Sequence, residues 1–512
     1  MEPIYIALII LAIIHVGIFI YIKWCNKTIQ EKGLVPYGPL IMIKTQWGIK
    51  LIDRLGKYKR FWRACGLLSR AVVIILMVWI VAILVIDLLA IPSLIGNSGI
   101  GIEYALAIPG LNPMLPLVYG WIGLIIAMVI HELAHGMQTR ANDMDVKSTG
   151  ILWGVVPLGA FVEPNDEQVE KASRRAKLDL YSAGITTNFI AALVLFILIF
   201  SMMTTGVTSE YGSNPAVYGV TADSPGYESG IPATAIIIEV DGVPVNTLDD
   251  FYGCLSGYGS YDITYVYKNE TATKSVVMGV FINSVVSDSP ASSAKLEKGM
   301  FIESIYNDRI GKVTFATAND FSKVMKSTNP GEVVNLDYVD RDGTHRTLEN
   351  ITLGSNNGVG YLGISTSNSG FTFTTPDIVR DTGINPIYGC TDLKDCAIGV
   401  LSYMGNAFSG FSPVPESTHW WYHCEWMSDD AFCILMSVIF WTMWLNLVLG
   451  VTNAIPAVPF DGGFVFIFGV DYILDKMGVK GERKDRYVGT IGNITSYLMI
   501  SILMLVMIVI IF

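Results

Sequence analysis

A run of uncharged residues, Leu115–Ile130, leads without interruption into His131-Glu-Leu-Ala-His135. An apolar run of this kind, extended by the motif itself, predicts a helix that crosses a bilayer, because hydrocarbon offers the backbone no partner outside its own chain. On that helix His131 and His135 are four apart, so they stack on one face and can share a metal ion. Glu132 lies off the ligand line but near enough to reach a metal-bound water. This is the HExxH arrangement, in which two imidazoles hold Zn2+ and the carboxylate moves the proton of the attacking water. At a wet helix end the same residues could simply pair with neighbours. Ionisable side chains at bilayer depth are costly and mark function, and the run before the motif puts them there.

The 512-residue chain is 52% hydrophobic and 15% charged, with a mean hydropathy of +0.48. That excludes a wholly soluble protein and predicts several spans plus a soluble part. Residues 205–430 carry 12 Lys+Arg against 27 Asp+Glu, a balance of −15; the whole chain is −11, so the remainder is +4. An acidic soluble part and basic membrane loops argue against a nucleic-acid partner. Cys390, Cys396, Cys424 and Cys433 could pair in an extracytoplasmic region, but their spacing fixes no connectivity.

Six spans are expected, at Ile4–Ile22, Ala71–Ile91, Leu115–Gln138, Tyr181–Met203, Ala431–Val451 and Thr490–Phe512. The loop Lys23–Arg70 holds 11 Lys+Arg against Glu31 and Asp53, which makes it cytoplasmic and puts the N-terminus outside. Its second half reads as a basic amphipathic helix on the inner membrane surface. His15, alone in the first span, reads as a residue that makes a helix contact or faces a polar neighbour rather than one that binds metal. Residues 145–163 read as an extended hairpin, β-branched and punctuated by Gly and Pro, with an open edge on which a peptide could add a strand. Ala397–Phe411 reads as interfacial. His419, His423 and Cys424 sit in an aromatic belt that outweighs a second metal site.

The soluble insert contains a repeat. Ala222-Asp-Ser-Pro225 is answered 65 residues later by Ser287-Asp-Ser-Pro290, and each copy continues to a Thr-x-x-Asp-Phe piece, at Thr247–Phe251 and Thr317–Phe321. A repeat of this length is a small domain used twice. Topology puts it outside. Spans three and five both run inward, and the fifth is followed by Asn453-Ala-Ile-Pro-Ala-Val-Pro-Phe-Asp461-Gly-Gly463. Asp461 therefore arrives at the depth of the two histidines and is the acid best placed to complete a catalytic zinc site, which wants three protein ligands and one open position.

Three motifs in order, HExxH at His131–His135, GxxxN at Gly184–Asn188 and NxxPxxxxDGG at Asn453–Gly463, resemble the site-2 protease family of intramembrane zinc metalloproteases. Phe460 stands where the family commonly has Leu or Met, a conservative change. The resemblance implies an α-helical polytopic membrane protein with an inserted extracytoplasmic tandem PDZ-like α+β region. Spans, charge and repeat divide the chain into 1–70, first helix and basic segment; 71–204, first part of a membrane core; 205–283 and 284–395, the two copies of the repeat; 396–430, interfacial segment; 431–512, second part of the core. The resemblance reads the core as a protease and the copies as PDZ-like domains. It implies one catalytic Zn2+ on His131, His135 and Asp461, Glu132 as base, and Asn188 and Asn453 as residues that hold the substrate. The expected partners are single-span membrane proteins and the lipid bilayer, in the cell membrane of an archaeon, with the site toward the cytoplasm. The expected activity is hydrolysis of a peptide bond in or near a transmembrane segment, releasing a soluble fragment. A non-catalytic scaffold that captures protein tails would be favoured by loss of Glu132, which is present. A zinc transporter would want acids and histidines on several spans rather than in one site.

Overall fold

The computed structural model describes residues 3–24, 33–94, 108–406 and 415–511. They form two compact units. One comprises Met1–Ser201, Thr391–Ser412 and Ile434–Phe512; the other comprises Met202–Cys390 and Pro413–Cys433.

The first unit is helical. Its main helices are α1 (Pro3–Trp24), α2 (Ile49–Gly56), α3 (Lys59–Leu94), α4 (Leu117–Ala141), α5 (Arg174–Thr205), α6 (Asp429–Asn453), α7 (Asp461–Lys476) and α8 (Gly481–Ile511). Among the described residues α3, α4, α5, α6 and α8 are long and apolar enough to cross a membrane, while α1 contributes a shorter apolar stretch, Ile9–Trp24. Helix α6 is the central one: 61% of its apolar window is buried in protein, against 17% for α8. Helix α8 begins at Gly481, earlier than the expected span, because its first turns are charged and only the later ones apolar. The expected interfacial segment is helical over Leu393–Asn406, and its remainder lies outside the described residues.

A four-stranded antiparallel sheet belongs to the same unit, with strands β1 (Leu34–Tyr37), β2 (Leu40–Thr45), β3 (Val146–Trp153) and β4 (Pro157–Pro164) in that order. The expected hairpin is β3–β4. Strands β1 and β2 come from the basic segment and had no counterpart in the sequence reading; β2 pairs with β3 from Ile41↔Trp153 to Thr45↔Thr149. Helix α2 also departs from expectation. Its buried face rests on protein, with Ile52 fully buried beside Gly136, where a Cβ would stand 2.8 Å from Ile52 Cδ1. Arg140 at the end of α4 reaches Asp53 at 2.6 Å, and Gln138 donates to the Trp62 carbonyl at 2.6 Å. The basic segment thus grips the end of the HExxH helix.

The second unit is built on a twelve-stranded sheet with two separate cores. The repeat is visible in its capping. Ser224 and Ser289 cap the turns that begin at Pro225 and Pro290, and Thr247 and Thr317 each form a capping box with an aspartate three residues on. Strand Phe371–Thr374 follows the second copy yet pairs with Ala216–Val220 and puts Phe371 into the first core. Strand Ile364–Asn368 pairs with Val280–Val285, the strand that runs through the point where the repeat divides. The two copies share strands rather than standing apart in sequence.

In the second copy Glu332 receives both arms of Arg309 at 2.8 Å, Asn307 at 2.7 Å and the Asn329 N–H at 2.8 Å. The Arg309 hydrogen bonds, helped by the other donors and opposed by partial burial, pull its carboxyl down to about 2. A depressed carboxylate stabilises the fold above its unfolded value, near 4.3, and loses that contribution as pH falls toward 2. Glu332→Gln should therefore lower the thermal midpoint of the insert at pH 7. The gap from wild type should close as the pH is brought to 3 and below, read by near-ultraviolet circular dichroism of the full chain in detergent.

Candidate active site

Helices α4 and α5 meet in an antiparallel register that two contacts define. His135 donates its Nδ1–H to the Leu180 carbonyl at 2.8 Å. One turn back, His131 faces Gly184, where a Cβ would stand 2.6 Å from His131 Cε1 and Nε2 and from His135 Nε2. A glycine is required there because imidazoles fill the space that any side chain would take. Asp461, the first residue of α7, comes from the other end of the chain. Its Oδ2 lies 3.0 Å from His131 Nε2 and 3.1 Å from His135 Nε2. Both histidines are buried.

Asp461 is positioned by the two glycines that follow it. A Cβ on Gly462 would meet the Ala454 backbone at 2.5 Å, and one on Gly463 the Ala457 backbone at 2.4 Å. Their function is close approach: the first turn of α7 packs backbone to backbone on the chain that precedes it. Neither has a positive φ, so they do not serve to turn the loop.

The donor set fits a zinc ion. A carbonyl can only accept, so a neutral His135 carries its proton on Nδ1 and turns the bare lone pair of Nε2 toward a carboxylate oxygen. Two acceptors facing at 3.1 Å need a cation between them, either a proton or a metal. The ligand atoms of His131, His135 and Asp461 lie within 4.8 Å of one another. Tetrahedral zinc bonds of about 2.0–2.1 Å put neighbouring ligand atoms roughly 3.3 Å apart, close to the 3.0 and 3.1 Å observed. No other set of three or more His, Cys, Asp or Glu converges in this way among the described residues.

Glu132 turns the other way on α4. Its Oε2 accepts the Val162 N–H of β4 at 2.8 Å, so the carboxylate is held between the histidines' helix and the sheet. A cavity of about 380 Å³ opens here, lined by His131, Glu132, His135, Asp461, Asn453 and residues of β4. Asn453 donates to the Leu449 carbonyl of its own helix at 3.0 Å. Asn188 is not among the lining residues. It is fully buried one turn beyond Gly184, and neither atom of its amide has a hydrogen-bond partner among the described residues.

The family model for peptidase family M50 matches residues 119–499, which takes in all of these residues. The chain belongs to peptidase family M50, the site-2 protease family. An uncharacterized protein of Methanocaldococcus jannaschii is 28% identical over 280 residues, 54% of this chain and 72% of its own length. Two proteins provisionally named zinc metalloproteases are also similar. That of Mesorhizobium japonicum is 25% identical over 28% of this chain and 48% of its own. That of Clostridium perfringens is 26% identical over 26% and 45%. The chain thus spans about half the length of these two bacterial relatives. With five apolar helices of spanning length, this M50 member is an integral multi-pass membrane protein with a sheet-rich insert.

The remaining histidine candidates do not join the site. His423 pairs with Asp429 at 3.1 Å, and Asp429 also accepts the Cys424 N–H. His15 meets the Pro39 carbonyl, in the turn between β1 and β2, at 2.9 Å: a polar neighbour and not a helix contact. The spatial roles of Gly184, Gly462 and Gly463 escape any reading of single residues, although all three lie inside the motifs. Gly184→Ala should abolish metal binding by driving a methyl group into both imidazoles. Gly469→Ala, where nothing lies within 4 Å, should leave it intact. Elemental analysis of the two purified variants checks this.

Proposed function

We propose that this protein is an intramembrane zinc metalloprotease that cleaves a peptide bond within or beside a transmembrane segment of single-span membrane proteins. The observation that carries the reading is the convergence of His131, His135 and Asp461 on one point, with Glu132 beside it and a cavity in front. The two histidines and the aspartate hold one Zn2+. When bound, the ion supplies Lewis acidity to the attacking water and the scissile carbonyl. Glu132 takes the proton of that water and passes it to the leaving nitrogen. Leu180 keeps His135 in the tautomer that leaves Nε2 free to ligate.

A transmembrane helix hides its carbonyls in its own hydrogen bonds, so the substrate unwinds before it is cut. Strand β4, an edge strand bordering the cavity, gives the unwound segment a row of backbone partners. Asn453 lines the cavity and holds the extended peptide; Asn188, buried behind Gly184, supports the site from within. The spans carry the protein in the cell membrane of an archaeon, a setting the Methanocaldococcus jannaschii relative supports. The basic segments around α2 and at Lys476–Arg486 set the site toward the cytoplasm. The first helix is a sixth span, and the insert is a tandem PDZ-like pair that screens substrates outside the membrane.

Glu132→Gln should keep zinc and lose cleavage of a single-span reporter by at least about 100-fold, since it removes the proton acceptor and leaves the ligands in place. Asp461→Asn should lose both zinc and activity. If that variant kept one equivalent of zinc by elemental analysis, Asp461 would be a tether of its loop and not a ligand.

A further inference from the structure

The two metal-ligand histidines are treated unequally. His135 has an outer partner, the Leu180 carbonyl. His131 has none: its Nδ1 is buried without a hydrogen-bond partner among the described residues. A ligating imidazole needs such a partner to fix the tautomer and the ring plane. Fully buried polar atoms left unpaired are rare enough to call for an explanation.

The same interface holds the complementary orphan. Both amide atoms of Asn188 are buried and unpartnered. The register already established, 135 beside 180 and 131 beside 184, continues one turn further and sets Ala127 opposite Asn188. Ala127 is fully buried and short, which leaves room between the helices at that level. Side chains on a helix lean toward its own N-terminus. Because α4 and α5 are antiparallel here, His131 leans toward the Ala127 level and Asn188 leans back toward the Gly184 level. The two orphans therefore approach each other. On the far side Asn188 is closed off by α6: a Cβ on Gly450 would stand 3.3 Å from Asn188 Cβ.

We infer that Asn188 is a positioning residue for the metal site. Its side-chain carbonyl takes the Nδ1–H of His131 through one buried water, and so presents Nε2 of that ring to the metal. The inference rests on the zinc site proposed above. It gives Asn188 a role behind the ligands in place of the substrate contact that the motif resemblance implied.

The test compares metal affinity, by chelator competition, and the visible d–d spectrum of the cobalt-substituted protein, in full-length chain in detergent. Asn188→Leu keeps the volume and removes the acceptor. It should weaken zinc about 10–100-fold, the loss usual for an outer-shell partner, and shift the cobalt bands. Asn188→Asp keeps an acceptor and should hold affinity within a few-fold of wild type. Asn446→Leu is the control, since it removes another buried amide with an unpartnered oxygen on α6, and should leave both readouts unchanged. Wild-type affinity and spectrum in Asn188→Leu overturn the inference, as does an equal loss in Asn446→Leu. If the leucine variant does not fold, a tenfold loss in Asn188→Asp overturns it. Failure of the wild type to bind zinc or cobalt would sink the metal site itself, a result distinct from all of these.

Discussion

One carboxylate oxygen facing two imidazole nitrogens at 3.0 and 3.1 Å is the contact around which the helical unit is arranged. An ionisable side chain inside the membrane-spanning part of a protein is costly unless it is paired. His131, Glu132, His135 and Asp461 together are tolerable only if they meet partners. Every local peculiarity nearby serves that meeting. Gly184 clears the space for the rings, Gly462 and Gly463 let α7 start against the preceding chain, and Leu180 orients His135. Polar chemistry in this unit is bought with close backbone packing.

The four-stranded sheet is the second organising element, and it ties the site to the basic segment. Strand β4 holds Glu132 through Val162. Glu163 in the same strand takes Lys44 of β2 at 2.8 Å and the Ser148 hydroxyl of β3. The chain between α1 and α3 is therefore joined to the catalytic edge by strand pairing as well as by the Ile52 contact on Gly136. A substrate strand added to β4 would lie against a sheet whose other members are already fixed.

The long apolar helices, the hairpin and the histidine pair were readable from sequence because each has a local signature: apolar length, β-branched residues, or fixed spacing. Asp461, 330 residues from His131, was reached only through the direction of the spans and the motif that holds it. The match to peptidase family M50 spans residues 119–499 and so contains all three motifs. Strands β1 and β2 were not readable: β1 pairs only with β2 in a short local hairpin, and that hairpin is fixed to the sheet only through the pairing of β2 with β3, more than a hundred positions away. The shared strands of the insert escaped for the same reason: nothing around Phe371 says that its partner is Val220. Helix α2 was recognised as amphipathic, but a sequence cannot say whether the apolar face meets lipid or, through Gly136 and Gly56, another helix. Asn188 sits in a recognisable motif, yet its burial emerges only from the register of α4 against α5.

His131 and Asp461 are 330 residues apart, and the whole insert lies between them. A chain leaving the ribosome displays the paired histidines and Glu132 long before the third ligand has been made. Until α7 arrives, the half-built bundle lacks the residue that closes the site, and the histidine face of α4 must wait in the membrane without its carboxylate. A truncated or stalled chain that ends inside the insert would therefore carry both histidines and Glu132 but neither Asn453 nor Asp461.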